Sequence, residues 1–350
     1  MERKVKSIVF TEPGEIELQT FDLSDCGKDE IICKTIYTFV SPGTELRVLS
    51  GISESKGKFP LIPGYSWVGK IIETGSDVKG WKIGELVTGR NVLPVQGINQ
   101  LWGGQSGYHR TLIKGYDSAL KLPESVDPWD YVHTEVAAIA YRGVSCAYPS
   151  EGETAIVIGQ GMIGAFVARW LLYYGARVIV MDIVESRLER ARKWGVTAAI
   201  TGGASDTREQ ILAYCPEGAD IVIEASSSIA GAKLAGSLLR QPVPRTLNRH
   251  YAVSSMHSNA HLWPRLVFLA TYTDTLEMGP AGLSQVEGSV VLKPGDRTVN
   301  DRLEVIDKIK KGCLPVKDII EKPVPVDECV KAYKNLRDEP GKYSTLAFEW

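Results

Sequence analysis

Residues 154–182 constrain the fold more than any other part of the chain. They form a pattern of an apolar strand, a Gly-x-Gly-x-x-Gly turn, an apolar helix and a second strand that ends in a carboxylate. Gly159 permits the tight turn, Gly161 lets the backbone approach a pyrophosphate, and Gly164 allows the helix to pack closely on the sheet. The amino terminus of the helix then offers unpaired N–H groups to phosphates. The pattern predicts a βαβ unit that binds a nicotinamide dinucleotide.

The acidic residue at the end of the second strand indicates which dinucleotide binds. Asp182 lies 18 residues beyond Gly164, where a carboxylate accepts hydrogen bonds from the hydroxyls of the adenosine ribose and repels a 2′-phosphate. We therefore predict NAD rather than NADP, with a strand-end cap as the alternative role for Asp182. Further cofactor contacts are predicted at Met162, Ile163 and Arg187.

Length and composition predict two domains in a soluble, cytoplasmic protein that acts on a small molecule. The 350 residues, 44% of them hydrophobic, exceed the roughly 250–300 residues at which single cores stop growing. Because the formal net charge is −2 with both signs interspersed, neither nucleic acid nor a membrane is an expected partner. No apolar run reaches the roughly 18–20 residues that cross a bilayer, and the amino terminus lacks a signal-peptide core. Six scattered cysteines without a Cys-x-x-Cys pair favour reduced thiols.

The hydrophobic pattern changes along the chain and divides it into regions. Short β-type runs separated by glycine and proline occupy residues 1 to about 124, which is typical of a compact β domain. Strand and helix patterns then alternate to about residue 311, which indicates a parallel sheet. The tail contains a helix and a final strand that we expect to return to the first domain. We predict an α/β protein with one domain formed by residues 1–148 and 312–350 and a second formed by residues 149–311.

The strands and helices that support this division are specified by their residues. In the first region the predicted strands are 5–10, 30–40, 68–73, 85–88 and 108–113. In the second region they are 154–159, 178–182, 220–224, 251–254 and 289–292. We expect helix 299–311 to close the second domain, and helix 328–336 and strand 344–349 to form the tail.

Three segments resemble the medium-chain dehydrogenase/reductase family, which contains the zinc alcohol and polyol dehydrogenases and their zinc-free relatives. Ser41-Pro-Gly-Thr-Glu45 is similar to the family's Cys-Gly-Thr/Ser-Asp turn, Pro63–Gly69 to its Gly-His-Glu-x-x-Gly segment, and 152–182 to its dinucleotide unit. The resemblance covers almost the whole chain. It implies a Rossmann dinucleotide-binding domain, an N-terminal GroES-like, partly barrel-shaped β domain, and a homodimer, or else a tetramer, joined through the strand at 289–292.

The sequence departs from the family pattern at the expected zinc ligands. Pro42 occupies the place of the first catalytic ligand, Tyr65 that of the second, a histidine, and Ser66 that of the neighbouring glutamate. The loop at 90–104 has none of the four cysteines found in zinc members. Because zinc needs about three nitrogen, sulfur or carboxylate ligands in a catalytic site and four in a structural one, we expect no catalytic and no structural zinc.

The resemblance also implies candidate catalytic residues. Transfer of a hydride from a secondary alcohol requires removal of the hydroxyl proton. The family pattern places Thr44 on a proton path towards the cofactor ribose and Glu135 near the nicotinamide. We expect Glu135 or His133 to act as the general base while Tyr65 and Thr44 hydrogen-bond the substrate oxygen. Structural roles stay open: Tyr65 as a space filler, Glu135 in an ion pair with Arg142, and His133 as a helix-start cap or a core histidine.

Loops after the strands supply the remaining candidates, because ligands of parallel sheets bind beyond the carboxyl ends of the strands. The predicted cofactor contacts on the nicotinamide side are Ala225, Ser226 and Ser254. The predicted substrate contacts are Glu45, Trp67, Trp102, His257 and Arg297, with a structural role for Glu45 as the alternative. A metal site at His250, His257 and His261 is disfavoured, since no carboxylate or cysteine joins them at ligand spacing.

Together these features predict an NAD-dependent, zinc-independent oxidoreductase that interconverts a secondary hydroxyl and a ketone on a sugar, polyol or cyclitol. A bulky ring substrate is an alternative, since the turn at 41–45 also resembles that of bacteriochlorophyllide hydroxyethyl dehydrogenases. A zinc-free enoyl or quinone reductase is a second alternative, although Asp182 argues against the NADPH such enzymes usually prefer. The third alternative is a non-catalytic cofactor-binding subunit.

Overall fold

The chain forms two units in a computed structural model that describes residues 3–52, 55–90, 92–95, 97–241, 263–273, 275–277, 279–319 and 322–350. The first unit comprises residues 1–138 and 298–350, and the second comprises residues 139–297. The division therefore falls at 138/139 and 297/298, instead of the predicted 148/149 and 311/312.

The described residues contain the following elements of regular structure. The strands are β1 Arg3–Glu12, β2 Glu15–Leu23, β3 Glu30–Val40, β4 Leu61–Ile62, β5 Trp67–Thr74, β6 Leu86–Gly89, β7 Asn99–Gln100, β8 Tyr108–Leu112, β9 Leu120–Lys121, β10 Thr154–Ile158, β11 Arg177–Asp182, β12 Ala198–Thr201, β13 Ile221–Glu224, β14 Arg265–Phe268, β15 Val290–Leu292, β16 Val324–Pro325 and β17 Leu346–Glu349. The helices are α1 Pro42–Leu49, α2 Thr134–Cys146, α3 Met162–Tyr173, α4 Glu185–Lys193, α5 Thr207–Leu212, α6 Ile229–Gly236, α7 Pro280–Gln285, α8 Val299–Lys310 and α9 Cys329–Asp338.

The first unit is built from two sheets. One has the order β2-β1-β4-β7, and the other has the order β16-β17-β3-β5-β6-β9, with β8 also paired to β3. The tail returns as predicted, because β17 pairs antiparallel with β3. A core that includes Phe10, Val48, Tyr333 and Phe348 lies among β1, α1, α9 and β17. The β domain expected from the short β-type runs is thus present, and the carboxyl-terminal tail completes it.

The second unit contains a parallel sheet of the predicted Rossmann type, with the strand order β12-β11-β10-β13-β14-β15. Apolar side chains of β10, β11 and β13 are buried on both faces of the sheet, as expected for strands covered by helices. The strand order reverses next to β10, which places a ligand-binding crevice at the carboxyl ends of β10 and β13.

Two parts of this sheet differ from the prediction. The sequence pattern did not predict β14, which pairs parallel with β13, or β12, which pairs parallel with β11. β12 begins with two alanines, which have low β propensity, and β14 begins with a charged residue, so neither presents a continuous strand-forming run. The strand predicted at 251–254 lies outside the described residues.

Helix α8 belongs to the first unit, although the sequence predicted that it would close the second. It begins with a capping box, in which Thr298 and Asp301 exchange hydrogen bonds between side chain and backbone, a strong local start signal. Arg302 on this helix is fully buried and bonds to groups of the first unit, which fixes the helix there. None of the helices in the described parts of the chain combines the length and apolar character that crossing a membrane requires.

Candidate functional site

The glycine turn between β10 and α3 has the geometry that a dinucleotide requires. Gly159 has a φ of +90°, and a Cβ there would lie 2.7 Å from the Cα of Ser226. A Cβ on Gly164 would lie 1.8 Å from the carbonyl oxygen of Gly159, so only glycine allows α3 to approach the turn this closely. A Cβ on Gly161 would meet open space instead. Gly161 caps α3 without a side chain, which leaves the start of the helix accessible to a phosphate.

Asp182 lies at the end of β11 and faces the same turn. Its carboxylate accepts the backbone N–H of Gln160 at 2.6 Å and that of Val184 at 2.9 Å. Arg187 lies 3.5 Å from the same carboxylate. Because a carboxylate has about four lone-pair sites, Asp182 retains acceptor capacity for ligand hydroxyls while the turn holds it in place.

A cavity of about 480 Å³ opens between these groups in the second unit. Its wall includes Gly159, Gly161, Asp182, Arg187, Ala225 and Ser226. It therefore contains most of the cofactor contacts predicted from the sequence. Met162 and Ile163, also predicted, lie in the first turn of α3 and do not form part of the wall.

A cluster of hydroxyl and aromatic side chains occupies the first unit at the turn into α1. Tyr65 is almost fully buried and hydrogen-bonds the side chains of Ser41 and Thr44, whose hydroxyls lie 3.4 Å apart. The Tyr65 ring contacts the edge of Trp102 at a centroid distance of 5.2 Å, and the Arg90 guanidinium carbon lies 5.4 Å from the Tyr65 ring centre. We refer to Ser41, Thr44, Tyr65, Arg90 and Trp102 as the hydroxyl cluster.

Burial determines the protonation state of Tyr65 in the hydroxyl cluster. It raises the pKa of Tyr65, an effect that the hydrogen bonds from Ser41 and Thr44 and the charge of Arg90 only partly offset. Tyr65 is therefore a neutral phenol at physiological pH and keeps a hydroxyl proton that it can donate. The sequence identified Thr44, Tyr65 and Trp102, but it did not assign a role to Ser41 or Arg90, whose positions in loops carry no periodic signal.

Glu45 is fully buried next to the hydroxyl cluster, and its bonds fit the structural role that the sequence left open as the alternative to a substrate contact. Its carboxylate accepts the Tyr333 hydroxyl at 2.5 Å, the Gln105 amide at 3.2 Å and the Ser41 backbone N–H at 3.1 Å. Burial raises the pKa of Glu45 to about 7, although these hydrogen bonds oppose the shift. Glu45 thus joins α1 to α9 inside the first unit.

Glu135 is held in a buried ion pair. Its carboxylate lies 3.0 Å from Arg302, and both side chains are fully buried. Arg302 also donates to the backbone oxygens of Ser118 and Tyr116, each at 2.9 Å. A proton taken up by Glu135 would leave the charge of Arg302 buried without its counter-ion. The structure therefore argues against Glu135 as the general base, and the ion pair is with Arg302 rather than with Arg142.

His133, the other predicted base, lies in the core of the first unit. It is fully buried, and burial lowers its pKa to about 3. The imidazole is therefore neutral at physiological pH and binds a proton too weakly to serve as an effective general base. This corresponds to the core role that the sequence left open.

Two predicted substrate contacts are buried in this fold. Trp67 is fully buried and packs on His109 at a centroid distance of 4.2 Å, at the start of β5 where three successive residues are buried. Arg297 is buried beside Asp296, 3.4 Å away, within the second unit. The predicted contacts Ser254 and His257, like His250 and His261, lie outside the described residues.

Two regions of the chain match models of known protein families. A model described as the alcohol dehydrogenase GroES-like domain matches residues 27–124, and one described as zinc-binding dehydrogenase matches residues 162–241. The chain is 30% identical over 234 residues to L-threonine 3-dehydrogenase of Streptomyces avermitilis, covering 61% of this chain and 68% of that protein. It is 26% identical over 257 residues to the enzyme of the same name from Vibrio parahaemolyticus, covering 65% and 71%.

Solved structures with the same fold cover nearly the whole chain. A short chain alcohol dehydrogenase from E. coli CFT073, complexed with NADH, superposes with a TM-score of 0.81 at 20% identity and 99% coverage of both chains. 2R,3R-butanediol dehydrogenase from Bacillus subtilis superposes with a TM-score of 0.81 at 15% identity and 99% coverage of both. At these identities the superpositions establish the fold.

The prediction that the cofactor set excludes zinc is contradicted by these matches, since the model at 162–241 is that of a zinc-binding dehydrogenase. At the ligand positions of the family pattern, this chain nevertheless has Pro42 and Tyr65. Across the described ranges, no group of three or more His, Cys, Asp or Glu side chains could hold a metal ion. The described residues at these positions therefore do not fit the family's metal.

Sequence and structure thus converge on one assignment. The Rossmann-type sheet, the glycine turn with Asp182, the GroES-like match and the threonine dehydrogenase relatives all point to the same class of enzyme. The chain is an NAD(P)-dependent oxidoreductase of CH–OH groups and belongs to the zinc-type alcohol dehydrogenase-like family of medium-chain dehydrogenases/reductases.

Proposed function

We propose that this protein is an NAD-dependent dehydrogenase that interconverts a secondary hydroxyl and a ketone on a polyhydroxylated small molecule. The observation that carries the cofactor choice is Asp182, a carboxylate fixed by two backbone N–H groups at the wall of the cavity. The open space above Gly161 and the steric need for glycine at 159 and 164 fit a pyrophosphate. When bound, NAD supplies the hydride acceptor.

Different residues of the cavity bind different parts of the dinucleotide. The turn at 159–164 receives the pyrophosphate on backbone N–H groups, while Asp182 accepts the ribose hydroxyls. A 2′-phosphate would meet the negative charge of Asp182, which disfavours NADP. Arg187, 3.5 Å from this carboxylate, reduces that repulsion, so we expect a preference for NAD rather than complete exclusion of NADP.

The hydroxyl cluster supports the substrate assignment. Tyr65 and Thr44 offer hydroxyl donors and acceptors on a preorganised surface, which suits a ligand whose oxygens hydrogen-bond in several directions. We propose that the Tyr65 hydroxyl donates to the substrate oxygen and that the Thr44 hydroxyl accepts the substrate's hydroxyl proton while it releases its own proton to water. Since Tyr65 is neutral, it stabilises the oxygen as a donor rather than removing the proton.

The experiment is a screen for reduction of the dinucleotide, measured by absorbance, with NAD and NADP in parallel. The substrates are polyols, cyclitols and sugars, with L-threonine included because of the named relatives. We expect turnover of a polyhydroxylated alcohol with NAD. Turnover of L-threonine alone would show that the proposed polyhydroxylated substrate is wrong. No turnover with any alcohol would contradict the proposal as a whole.

A variant of the hydroxyl cluster tests the proposed role of Tyr65 in this reaction. Tyr65→Phe removes the donor while keeping the ring against Trp102, and we expect kcat/KM to fall about a hundredfold to a thousandfold, the usual effect of losing one donor to the developing oxyanion. Tyr108→Phe, on the half-buried strand β8, is the matched control and should retain activity. Equal activity of both variants would show that the Tyr65 hydroxyl does not take part in the reaction.

A homodimer is also part of the proposal. β15 is the terminal strand of the parallel sheet as described, and two such strands can pair edge to edge in a dimer. Gel filtration with light scattering tests this directly. A mass near 77 kDa, about twice the 38.4 kDa of the chain, is expected under symmetric pairing, and a monomeric mass would contradict it.

A further inference from the structure

A cluster of polar side chains lies beyond the ends of three adjacent strands in the second unit and has no role in the function proposed so far. β13 ends at Glu224, Tyr272 follows β14, and Lys293 follows β15 directly. These strands are parallel neighbours in the sheet. Because carboxyl ends of parallel strands meet at one edge, the three side chains belong to the ligand-binding edge.

Glu224 organises this cluster through its buried carboxylate. One oxygen accepts the backbone N–H of Ser226 at 2.8 Å and also the Ser226 hydroxyl. The other oxygen accepts the hydroxyl of Tyr272. The backbone oxygen of Glu224 accepts the N–H groups of Leu269 and Ala270, at 2.9 and 3.2 Å. These bonds tie the segment after β14 to the end of β13.

The hydrogen bond to Glu224 determines whether the Tyr272 hydroxyl can donate to a ligand or accept from it. Burial and the neighbouring carboxylate raise the pKa of Tyr272, so its hydroxyl stays protonated. Since the proton is directed to Glu224, the Tyr272 oxygen is available to a ligand as an acceptor. Tyr272 is half-buried, which leaves part of the side chain accessible.

Lys293 adds a donor to this acceptor. Its ammonium donates to the backbone oxygen of Ala270 at 2.6 Å, two residues before Tyr272 in the chain. An ammonium carries more donors than this one bond uses, and Lys293 is exposed. Burial lowers the pKa of Lys293, and the charge of Glu224 opposes that change.

We propose that Tyr272 and Lys293 bind the carboxamide of the nicotinamide ring. The Tyr272 oxygen accepts from the carboxamide NH₂, and the Lys293 ammonium donates to the carboxamide oxygen. A primary amide presents a donor and an acceptor side by side, and this pair presents the complementary groups. The inference rests on the proposed use of a nicotinamide dinucleotide.

The topology of the sheet supports this assignment. Asp182, the proposed ribose-binding residue, ends β11 on one side of β10, whereas Glu224 ends β13 on the other side. A dinucleotide that crosses the turn after β10 places its two halves over these opposite sides. Ser226, which lines the cavity and bonds Glu224, connects the cofactor cavity to the cluster.

The test measures equilibrium binding to the whole protein by calorimetry, without turnover. The probes are NADH, a reduced analogue in which an acetyl group replaces the carboxamide, and ADP-ribose, which lacks the ring. The acetyl group retains the carbonyl acceptor but loses the NH₂ donor. The reduced ring is used because it carries no positive charge near Lys293.

The wild-type protein should bind NADH about tenfold more tightly than the acetyl analogue, the loss expected for one hydrogen bond. Tyr272→Phe should weaken NADH about tenfold and bind both dinucleotides equally. Lys293→Met should weaken both dinucleotides by a similar factor. ADP-ribose should bind equally to the wild type, both variants and the control Tyr214→Phe, an exposed tyrosine of the second unit.

Each outcome distinguishes the inference from the proposed function. If the wild type binds neither NADH nor ADP-ribose, the proposed function fails. If Tyr272→Phe retains the preference for NADH over the acetyl analogue while ADP-ribose binding is normal, the carboxamide assignment is wrong. A variant that lost ADP-ribose binding would show that the cluster supports the fold of the cavity, which also overturns the assignment.

Discussion

The two units hold their polar groups in different ways. In the second unit, the cofactor cavity is built from backbone: a turn confined to residues 159–164 and an aspartate bound to two backbone N–H groups. In the first unit, side chains far apart in sequence meet in the core. Glu45 and Tyr333 are separated by 288 residues, and Glu135 and Arg302 by 167.

This difference determines how each unit responds to substitution. A site built from backbone depends on the absence of side-chain atoms, so an added methyl group disturbs it by steric overlap. A buried carboxylate depends on the presence of a partner, and losing that partner leaves an uncompensated charge. We therefore expect substitutions at the buried carboxylates to affect folding most, and substitutions around the cavity to affect ligand binding most.

The largest effect is expected at the buried ion pair of the first unit. Arg302→Met removes the partner of Glu135 and should lower the free energy of unfolding by about 3–5 kcal/mol, the range found when one member of a buried pair is removed. Chemical denaturation followed by circular dichroism measures this change.

A double-mutant cycle separates the ion pair from the packing of Arg302. The double variant Glu135→Gln with Arg302→Met should be more stable than the sum of the single changes implies, because no charge is left buried. Additive effects would show that the two side chains contribute independently. Arg337→Met, an exposed arginine on α9 that bonds Asp338, is the control and should change stability by less than about 1 kcal/mol.

The pH dependence of stability provides the second prediction, at Glu45. Its pKa rises from 4.5 to about 7 on folding. Between those values the folded state binds more protons than the unfolded state, so this group's contribution to stability falls as pH rises. The full change is about 3 kcal/mol, from a shift of roughly two to three pKa units.

A comparison with Glu45→Gln isolates this contribution from other titrating groups. The buried histidines His109 and His133, whose pKa values burial lowers to about 3, change stability in the opposite direction on acidification. The difference in unfolding free energy between the wild type and Glu45→Gln should decrease from pH 4.5 to pH 7. A constant difference would contradict the raised pKa of Glu45, and Glu124→Gln, at an exposed position, is the reference for removing one surface carboxylate.

The same contrast explains which features could be predicted from the sequence. The roles of the three glycines follow from local chain geometry, so spacing alone indicated the turn and the strands on either side of it. Strands β3 and β11 were placed within one residue of their bounds, because β3 is long and rich in β-branched and aromatic residues and β11 contains four apolar residues in a row.

Contacts across the chain could not be predicted in this way. Local spacing suggested Arg142 as the partner of Glu135, whereas the partner is Arg302, which also explains why α8 belongs to the first unit. The sequence patterns around Arg90 and Tyr333 indicate the local secondary structure of each segment. They do not indicate which distant residues these side chains contact. A single sequence carries no signal that links such distant positions, so their meeting depends on tertiary packing.

The third prediction compares two glycines of one turn. Gly164→Ala would place a Cβ against the Gly159 carbonyl oxygen, and we expect a loss of about 1–3 kcal/mol in stability, typical of overpacking. NADH binding should be lost as well. Differential scanning fluorimetry and calorimetry measure the two effects.

Gly161→Ala is the matched variant, because its Cβ meets no protein atom within 4 Å. Its φ of −60° also suits alanine, so stability should change by less than about 1 kcal/mol. NADH binding should nevertheless weaken, since the methyl group occupies the space proposed for the pyrophosphate. Normal NADH binding by Gly161→Ala would show that the pyrophosphate lies elsewhere.

The smallest effect is expected at Asp182, where only the choice between two dinucleotides changes. Asp182→Asn removes the negative charge while keeping a side-chain oxygen that can accept a backbone N–H. The ratio of the Kd for NADPH to that for NADH should fall about tenfold, equivalent to about 1.4 kcal/mol. Asp206→Asn, at an exposed position of the second unit, should leave the ratio unchanged. An unchanged ratio in Asp182→Asn with intact folding would show that Asp182 only caps β11, and the selectivity of the cavity would then depend on backbone shape alone.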